Sequence, residues 1–261
     1  MDENIRNAHR EQVDSLKSRA ENIKRGITFE AFRHPDDPTR MMKISRTFPR
    51  MWVPNWRGKM QIREFNRNNP EKWARREFLK QHLLTHILHV LYPAQIPDAF
   101  NVKTKSIPRT EAQYVHGQTM AQARFGHDAD IVDDSYEDQD IFIIEDGENW
   151  EEIFREIATW RTAHLALKNE LSALGIEVDA VNIGANYLRT AENTFIYVDS
   201  FVAPRPLETA RRLERKIHEL QDADSQKKCR YWLSQYEKLS STGFEKVDEL
   251  WDKILEKLHK L

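Results

Sequence analysis

The spacing of apolar residues divides the first part of the chain into three segments. Apolar residues recur at helical spacing over residues 3 to 24, which predicts an amphipathic helix that ends near Gly26. The segment ITFEAFRHPDDPTRMMKIS then has two short apolar runs around a turn rich in proline and aspartate, and this pattern predicts a β-hairpin. Residues 46 to 70 contain prolines and a glycine without a sustained period, so we predict an irregular insert there.

Prolines mark the ends of the next predicted helix, over residues 70–91. A proline suits its first turn, and two prolines shortly after its end prevent it from continuing. Short strands are predicted near residues 99–104 and 111–116, and a further strand is predicted at IFIIE, residues 141–145.

The rest of the chain has mainly the period of helices. NYLRT and TFIYV, on either side of residues 191–193, form the exception and predict a second hairpin. Gly175 ends the predicted helix over residues 150–174. Apolar stripes at helical spacing cover residues 150–174, 207–220 and 244–261. Strands therefore concentrate in the first half and helices in the second, which predicts an α+β protein with a sheet part and a helical part.

Composition narrows the class of protein. The 261 residues are 39% hydrophobic and 31% charged, and no stretch approaches the roughly 20 apolar residues that a membrane span needs. The first residues, MDENIRNAHREQ, lack the pattern of a signal peptide, so we expect a cytoplasmic protein without membrane contact. A single cysteine, Cys229, excludes a disulfide framework and a cysteine-based zinc site, and we expect an ordinary thiol.

Charge is unevenly distributed, although the net charge is only −2. Residues 46–76 contain nine lysines and arginines against two glutamates, interleaved with aromatic residues. This basic segment could bind nucleic acid through phosphate contacts and stacking, or its aromatic residues could pack into its own domain. Residues 127–156 contain thirteen acidic residues against one arginine, which favours a solvated loop centred on residues 127–149. The two segments could also face each other.

Two charged residues stand out in the first half. Lys43 lies in the second strand of the first hairpin, where its neighbours Met42 and Ile44 point to the opposite face. Glu77 lies on the apolar side of the predicted helix, and a carboxylate there is costly unless it is paired. Lys43 is one candidate partner of Glu77. The alternatives are a solvent-facing lysine and a glutamate that pairs within its own helix.

Two oxygen-bearing residues flank the second hairpin. Asn186 precedes NYLRT and Asp199 follows TFIYV, so the hairpin brings both to the same end. An amide oxygen and a carboxylate suit Mg²⁺, which prefers oxygen ligands and keeps positions for water and phosphate. The alternative is that both residues only cap turns. His82 and His86, at i and i+4 of one helix, could chelate a metal, but a structural or surface role is favoured because no HExxH motif accompanies them.

The order and spacing of these four residues resemble those of the protein-kinase-like superfamily, which includes aminoglycoside phosphotransferases and small bacterial kinases. FEAFRHPDDPTRMMKIS would be the lysine hairpin, ARREFLKQHLL the glutamate helix, and EVDAVNIGANYLRTAENTFIYVDSF the catalytic loop, hairpin and metal site. The resemblance implies a two-lobed fold with ATP and Mg²⁺ between the lobes. Lys43 would bind phosphates and pair with Glu77, and Asn186 and Asp199 would hold Mg²⁺.

The resemblance also implies a linker between the lobes near Val115 to Gly117, which would contact the nucleotide. Three features depart from the family pattern. Val181 occupies the position of the usual aspartate base, so Asp179 is the best available base. The metal motif reads Asp-Ser-Phe, and no glycine-rich loop precedes Lys43.

These observations predict three parts of the chain: an N-terminal helix (1–25), a sheet-rich lobe (26–117) with the basic insert 46–70, and a helical lobe (118–261) with the acidic segment 127–149. The first functional hypothesis is a kinase-like phosphotransferase that transfers phosphate from Mg-ATP to a hydroxyl. The second is a catalytically silent pseudokinase that binds a protein partner through its flanking helices. The third is a nucleic-acid-associated protein that uses residues 46–76.

Overall fold

Strands dominate the N-terminal half of the structure and helices the C-terminal half, as the sequence predicts. The computed structural model describes residues 11, 14–15, 18–20, 22–25, 29–45, 50–54, 60–64, 70–103, 109–119, 150–178, 186–199, 201–242 and 253–254. The strands are β1 (Asn22–Arg25), β2 (Phe29–Arg33), β3 (Arg40–Ser45), β4 (Arg50–Pro54), β5 (Met60–Glu64), β6 (Ala99–Lys103), β7 (Arg109–Gln113), β8 (Glu177–Val178), β9 (Tyr187–Arg189), β10 (Phe195–Tyr197) and β11 (Phe201–Val202). The long helices are α1 (Pro70–Leu91), α2 (Trp150–Ala173), α3 (Pro206–His218) and α4 (Ala223–Ser241).

A five-stranded antiparallel sheet has the order β1-β2-β3-β7-β6. The predicted hairpin is β2 and β3, and its turn is held by Asp37, whose carboxylate accepts hydrogen bonds from the N–H and hydroxyl of Thr39 at 3.0 and 2.6 Å. Side chains alternate across β3 as predicted. Met42 and Ile44 are buried with Phe32 on one face, against Ala20, while Lys43 points to the other face.

The larger core lies among the helices. Helix α1 packs against α4, and α3 also packs against α4. Helix α2 has the predicted stripe: Trp160, His164, Leu167 and Leu171 are all buried. It ends at Ala173 and is followed by Gly175, whose φ of +76° is a left-handed conformation that favours glycine. Within the described part of the chain, no helix is long and apolar enough to cross a membrane.

The structure corrects three boundaries. Residues 22–25 form β1, paired with β2, so the predicted N-terminal helix is wrong over its last turn; residues 11, 14–15 and 18–19 are helical. The insert 46–70 is not irregular throughout, because β4 and β5 within it pair as an antiparallel hairpin. The helical stripe predicted over 207–220 stops at His218, and its first member, Leu207, is half exposed.

Two predicted elements fall largely where nothing is described. The strand at residues 141–145 and most of the acidic segment lie outside the described residues. Of the last predicted helix, over residues 244–261, only Lys253 and Ile254 are described, and both are helical. Ile254 is buried in the helical core.

Candidate functional site

A cavity lies where the sheet, α1 and the second hairpin meet. Its volume is about 50 Å³. The sheet contributes the face that carries Lys43, α1 contributes one turn and a half, and the chain from β10 to β11 closes the opposite wall. The lining residues are Met41, Lys43, Gln81, His82, Thr85, Ile96, Pro97, Ala99, Ala112, Tyr197, Val198, Asp199 and Phe201. Most of the described wall is apolar. Among the described residues that line the cavity, Lys43 and Asp199 carry the two formal charges when His82 is neutral.

Lys43 lies on β3, the middle strand of the sheet, and its side chain enters the cavity. Its Nζ donates a hydrogen bond of 2.8 Å to the carbonyl oxygen of Val198, the residue before Asp199. The lysine is therefore not an ordinary solvent-facing residue of an edge strand. Its amine lies beside the segment that carries the predicted metal ligand, 155 residues away in sequence.

The second hairpin brings Asn186 and Asp199 to one end, as the sequence predicts. Strands β9 and β10 pair in antiparallel fashion, with Arg189 opposite Phe195 and Tyr187 opposite Tyr197. The ladder extends by one more bond, in which the N–H of Val198 donates to the carbonyl oxygen of Asn186 at 2.9 Å. Asn186 is buried, and Asp199 is partly exposed in the cavity wall.

A helix side chain fixes the backbone just after Asp199. The Gln81 amide donates to the carbonyl oxygen of Phe201 and accepts from its N–H at 3.0 Å. Phe201 is also paired with Val178 across β11 and β8, and its ring is buried in the helical core. The Asp199 segment is therefore bonded to the sheet on one side, through Val198, and to α1 on the other.

Sequence reasoning missed Gln81. The available signal is its position four residues after Glu77, which places it on the same side of α1. Its partner lies 120 residues away, however, and nothing local in the sequence indicates an amide that pairs with a distant backbone. Met41 was missed as well, although strand alternation places it on the same face as Lys43.

Val115 and Gly117 lie in the segment that leaves β7. Val115 is buried, and Gly117 packs so closely on β9 that a Cβ atom there would come within 2.9 Å of the Arg189 carbonyl oxygen. Gln118 and Arg189 then exchange two backbone hydrogen bonds of 3.0 and 2.9 Å. The segment thus joins the sheet to the second hairpin. Neither Val115 nor Gly117 is among the described residues that line the cavity.

Two predicted site residues cannot be placed beside the cavity. Glu77 belongs to α1, but its side chain lies outside the described part of the structure. Asp179 follows β8 directly and lies outside the described residues, as does Val181. Their predicted roles as the partner of Lys43 and as the base stay predictions.

His82 and His86 form a hydrogen-bonded pair on α1. Their Nε2 atoms are 3.0 Å apart, and the Asp98 carboxylate lies 4.0 Å from His86 Nδ1. The carboxylate favours the tautomer of His86 with a proton on that nitrogen, and in that tautomer His82 donates from Nε2 and His86 accepts. Burial lowers the pKa of His82 well below its ordinary value, and burial followed by the charge of His89 lowers the pKa of His86 to about 4. The structural role favoured by the sequence agrees with this geometry.

The residues present fit a magnesium ion by their chemistry. Among the residues with described side chains, no three His, Cys, Asp or Glu groups gather as a metal cluster. Mg²⁺ does not require one, because it is commonly held by one or two protein oxygens together with waters and phosphate oxygens. Asp199 lines the cavity and offers such an oxygen, and the Lys43 amine offers a charge for phosphate. Asn186, which also carries an amide oxygen, is buried next to the hairpin end and is not among the described residues that line the cavity.

Buried Cys229 matches its predicted role. Its thiol is fully enclosed in the helical core, and burial raises its pKa to about 11. A thiol of that pKa is protonated at neutral pH and is a poor nucleophile.

Comparisons with known proteins find similar chains among the solved structures. No protein-family model matches the chain, and no curated protein matches it. The crystal structure of the Rio2 kinase–ADP/Mg²⁺–phosphoaspartate complex from Chaetomium thermophilum is similar at 14% identity and a TM-score of 0.38, over 96% of this chain and 74% of that chain. Likeness at that level supports no inference about activity, whereas the mixed helices and small antiparallel sheets described above are compatible with a kinase-like fold.

Proposed function

We propose that this chain is a kinase-like phosphotransferase that binds Mg-ATP with phosphate groups at the cavity described above. The observation that carries the proposal is that Lys43 and Asp199, distant in sequence, line one cavity. Lys43 lies on the third strand of its sheet, a long helix follows it, and Asp199 comes after a short hairpin. Protein kinases carry their phosphate-binding lysine, the helix of its glutamate partner and their metal-binding aspartate in this order.

The proposed roles follow from charge and position. The Lys43 amine, which donates to the Val198 carbonyl, would turn part of its hydrogen bonding toward phosphate oxygens. Asp199 and Asn186 would hold Mg²⁺, which when bound neutralises charge on the phosphates. The bonds of Gln81 to Phe201 hold the backbone two residues after Asp199 against α1, and we propose that they position Asp199. Such positioning is the main contribution that a protein makes to phosphoryl transfer.

Magnesium-dependent binding is the first test. Calorimetry with millimolar ATP should show binding in the presence of Mg²⁺ and much weaker binding in EDTA. Asp199→Asn keeps the size of the side chain and removes its charge, so we expect Mg-ATP affinity to fall by about tenfold or more, equivalent to about 1.4 kcal/mol. Asp36→Asn is the matched control, because Asp36 is an exposed carboxylate in the first hairpin turn. Absence of Mg-ATP binding by the unaltered chain would refute the proposal.

A catalytically silent kinase-like domain is the second candidate, and two observations favour it. Val181 stands where the family has its base. Strands β1 and β2 are joined by only three residues, 26–28, with one glycine among them, which leaves little chain to cover a triphosphate. Binding without turnover of ATP would support this candidate, whereas phosphate transfer that is lost in Lys43→Met would exclude it.

A further inference from the structure

His82 has one ring nitrogen that the fold does not use. The residue is 3% exposed and lines the cavity, and its Nε2 is turned to His86. His86 is not among the described residues that line the cavity, and Nδ1 of His82 lies on the other side of the ring from it. This Nδ1 atom is buried and has no hydrogen-bond partner in the described part of the structure. A buried polar atom without a partner is costly, which points to a ligand or a water at this nitrogen.

The groups behind His82 prepare that nitrogen to act as a metal ligand. In the tautomer that Asp98 favours, His82 donates from Nε2 to His86 and keeps a lone pair on Nδ1. Histidines that bind metals are held in the same way, because the second ring nitrogen donates its proton to an oriented acceptor and so fixes the direction of the lone pair. The two histidines do not chelate one ion between them, since their Nε2 atoms bond to each other.

A carboxylate lines the same cavity. Asp199 belongs to the wall opposite α1 and is partly exposed, so an ion can reach it from water. Gln81, the residue before His82, bonds to the backbone of Phe201. These bonds hold α1 within one side-chain length of the segment that carries Asp199. An imidazole nitrogen and a carboxylate oxygen from different walls therefore share one small space.

The size of that space suits an ion with a few small ligands. The cavity volume is about 50 Å³. A water needs roughly 10–15 Å³ of such space, so there is room for about four ligands of that size. An ion held by two protein groups completes its coordination with water or phosphate oxygens and needs no third side chain. Lys43 adds a positive charge to the wall, and anionic oxygens such as those of phosphate would balance it.

We infer that His82 and Asp199 bind a divalent first-row transition-metal ion through one nitrogen and one oxygen, in preference to Mg²⁺. Imidazole suits such ions, whereas Mg²⁺ prefers oxygen ligands. The inference rests on the proposed function for Asp199 as a metal ligand, and it names the class of metal that the site selects. Its test needs no nucleotide.

The experiment uses Co²⁺ alone as the probe. Calorimetry on the unaltered chain, without ATP, should show Co²⁺ binding at least about tenfold tighter than Mg²⁺ binding. X-ray absorption at the cobalt edge should show an imidazole nitrogen bound to the ion. His82→Gln should remove this imidazole signature and lower Co²⁺ affinity by about tenfold or more, because loss of even the group behind a metal-binding histidine costs about that much. Affinity for Mg²⁺ should change little in this variant.

His164→Gln is the matched control. His164 is another buried histidine of a long helix, with its Nδ1 3.4 Å from the Tyr187 hydroxyl, and it is not among the described residues that line the cavity. Loss of its imidazole should change stability and leave Co²⁺ affinity unchanged. Asp199→Asn, at a partly exposed position, serves as the second variant if His82→Gln does not fold, and it should also weaken Co²⁺ binding.

The outcomes separate this inference from the proposed function. Co²⁺ that binds without an imidazole ligand, or no more tightly than Mg²⁺, overturns the inference and leaves Mg-ATP binding standing. Full Co²⁺ affinity in a folded His82→Gln variant overturns it as well and assigns Nδ1 to a bound water. Co²⁺ binding through His82 in a chain that does not bind Mg-ATP would support the metal site and refute the phosphotransferase.

Discussion

Single residues set the electrostatics of the cavity wall. His82 lies in that wall as a neutral imidazole, and it is bonded to His86, which is backed by Asp98. Neutral histidines add no positive charge beside Lys43, so among the described residues that line the cavity the lysine is the cation available to the proposed phosphate ligand. The pair therefore bears on both the stability of α1 and the charge of the site.

Protonation of this pair should destabilise the fold in mild acid. The pKa of His86 is lowered from 6.5 to about 4, and that of His82 is also lowered, so the unfolded chain binds these protons more readily than the folded one. The stability that the two neutral histidines contribute to the folded chain is complete above pH 6.5 and is lost as the pH falls toward 4. For His86 the slope is at most about 1.4 kcal/mol per pH unit.

Urea unfolding at several pH values between 7 and 4.5 measures this slope. The double variant His82→Gln, His86→Gln should flatten it, whereas His116→Gln, at an exposed position, should not. An unchanged slope in the double variant would contradict the assignment of the acid sensitivity to this histidine pair.

The face to which a side chain points, and the end of a helix, could be predicted from the sequence where local rules decide them. Alternation along β3 places Met42 and Ile44 opposite Lys43, and the structure confirms this. Gly175 was predictable as a helix end because few other residues tolerate its φ. The bond from Lys43 to the Val198 carbonyl was not predictable, because a lysine has no sequence signal for a backbone acceptor 155 residues away.

At the scale of elements, α1 connects the core to the site. One side of the helix packs on α4, where the His86 ring stacks on Trp232 with centroids 4.7 Å apart. From the same helix, Gln81 holds the backbone of Phe201 by two hydrogen bonds. A displacement of α1 would therefore move the segment that carries Asp199.

Gln81→Leu should uncouple these elements. It leaves the N–H and carbonyl of Phe201 without their side-chain partner, which should cost about 1–3 kcal/mol of unfolding free energy. If the amide positions Asp199, Mg-ATP affinity measured on the folded variant should also fall several-fold. Gln226→Leu is the control, because its amide bonds to His218 away from the cavity. A Gln81 variant that loses stability and keeps full affinity would limit this side chain to a structural role.

Elements with strong end signals were predicted well, and elements that depend on partners were not. Prolines define both ends of α1, and its observed bounds match the prediction. Residues 22–25 have a pattern that also suits a helix, and only pairing with β2 makes them a strand. Strand β4 ends with a proline, Pro54, which a strand tolerates at its end but not in its middle. In the sequence this proline made the β4–β5 hairpin look like part of an irregular stretch.

At the scale of the whole molecule, ligand binding should stabilise the fold. A ligand that binds only the folded chain raises the free energy of unfolding by about 2.7 kcal/mol at one hundred times its Kd. We expect Mg-ATP to raise the melting temperature of the unaltered chain in a calorimetric scan. The rise should be absent in EDTA and strongly reduced for Asp199→Asn. An equal rise for unaltered chain and variant would place the binding of the nucleotide elsewhere on the molecule.

The cavity also has a consequence for how the protein folds. Its walls come from stretches of chain as far apart as Lys43 and Val198, so the ends of a long loop must meet before it exists. Closing such a loop costs entropy that local helices do not incur, and contacts of this kind form slowly. On a ribosome, Lys43 would emerge well before Val198, and the cavity would form only after the chain beyond Val198 had been synthesised.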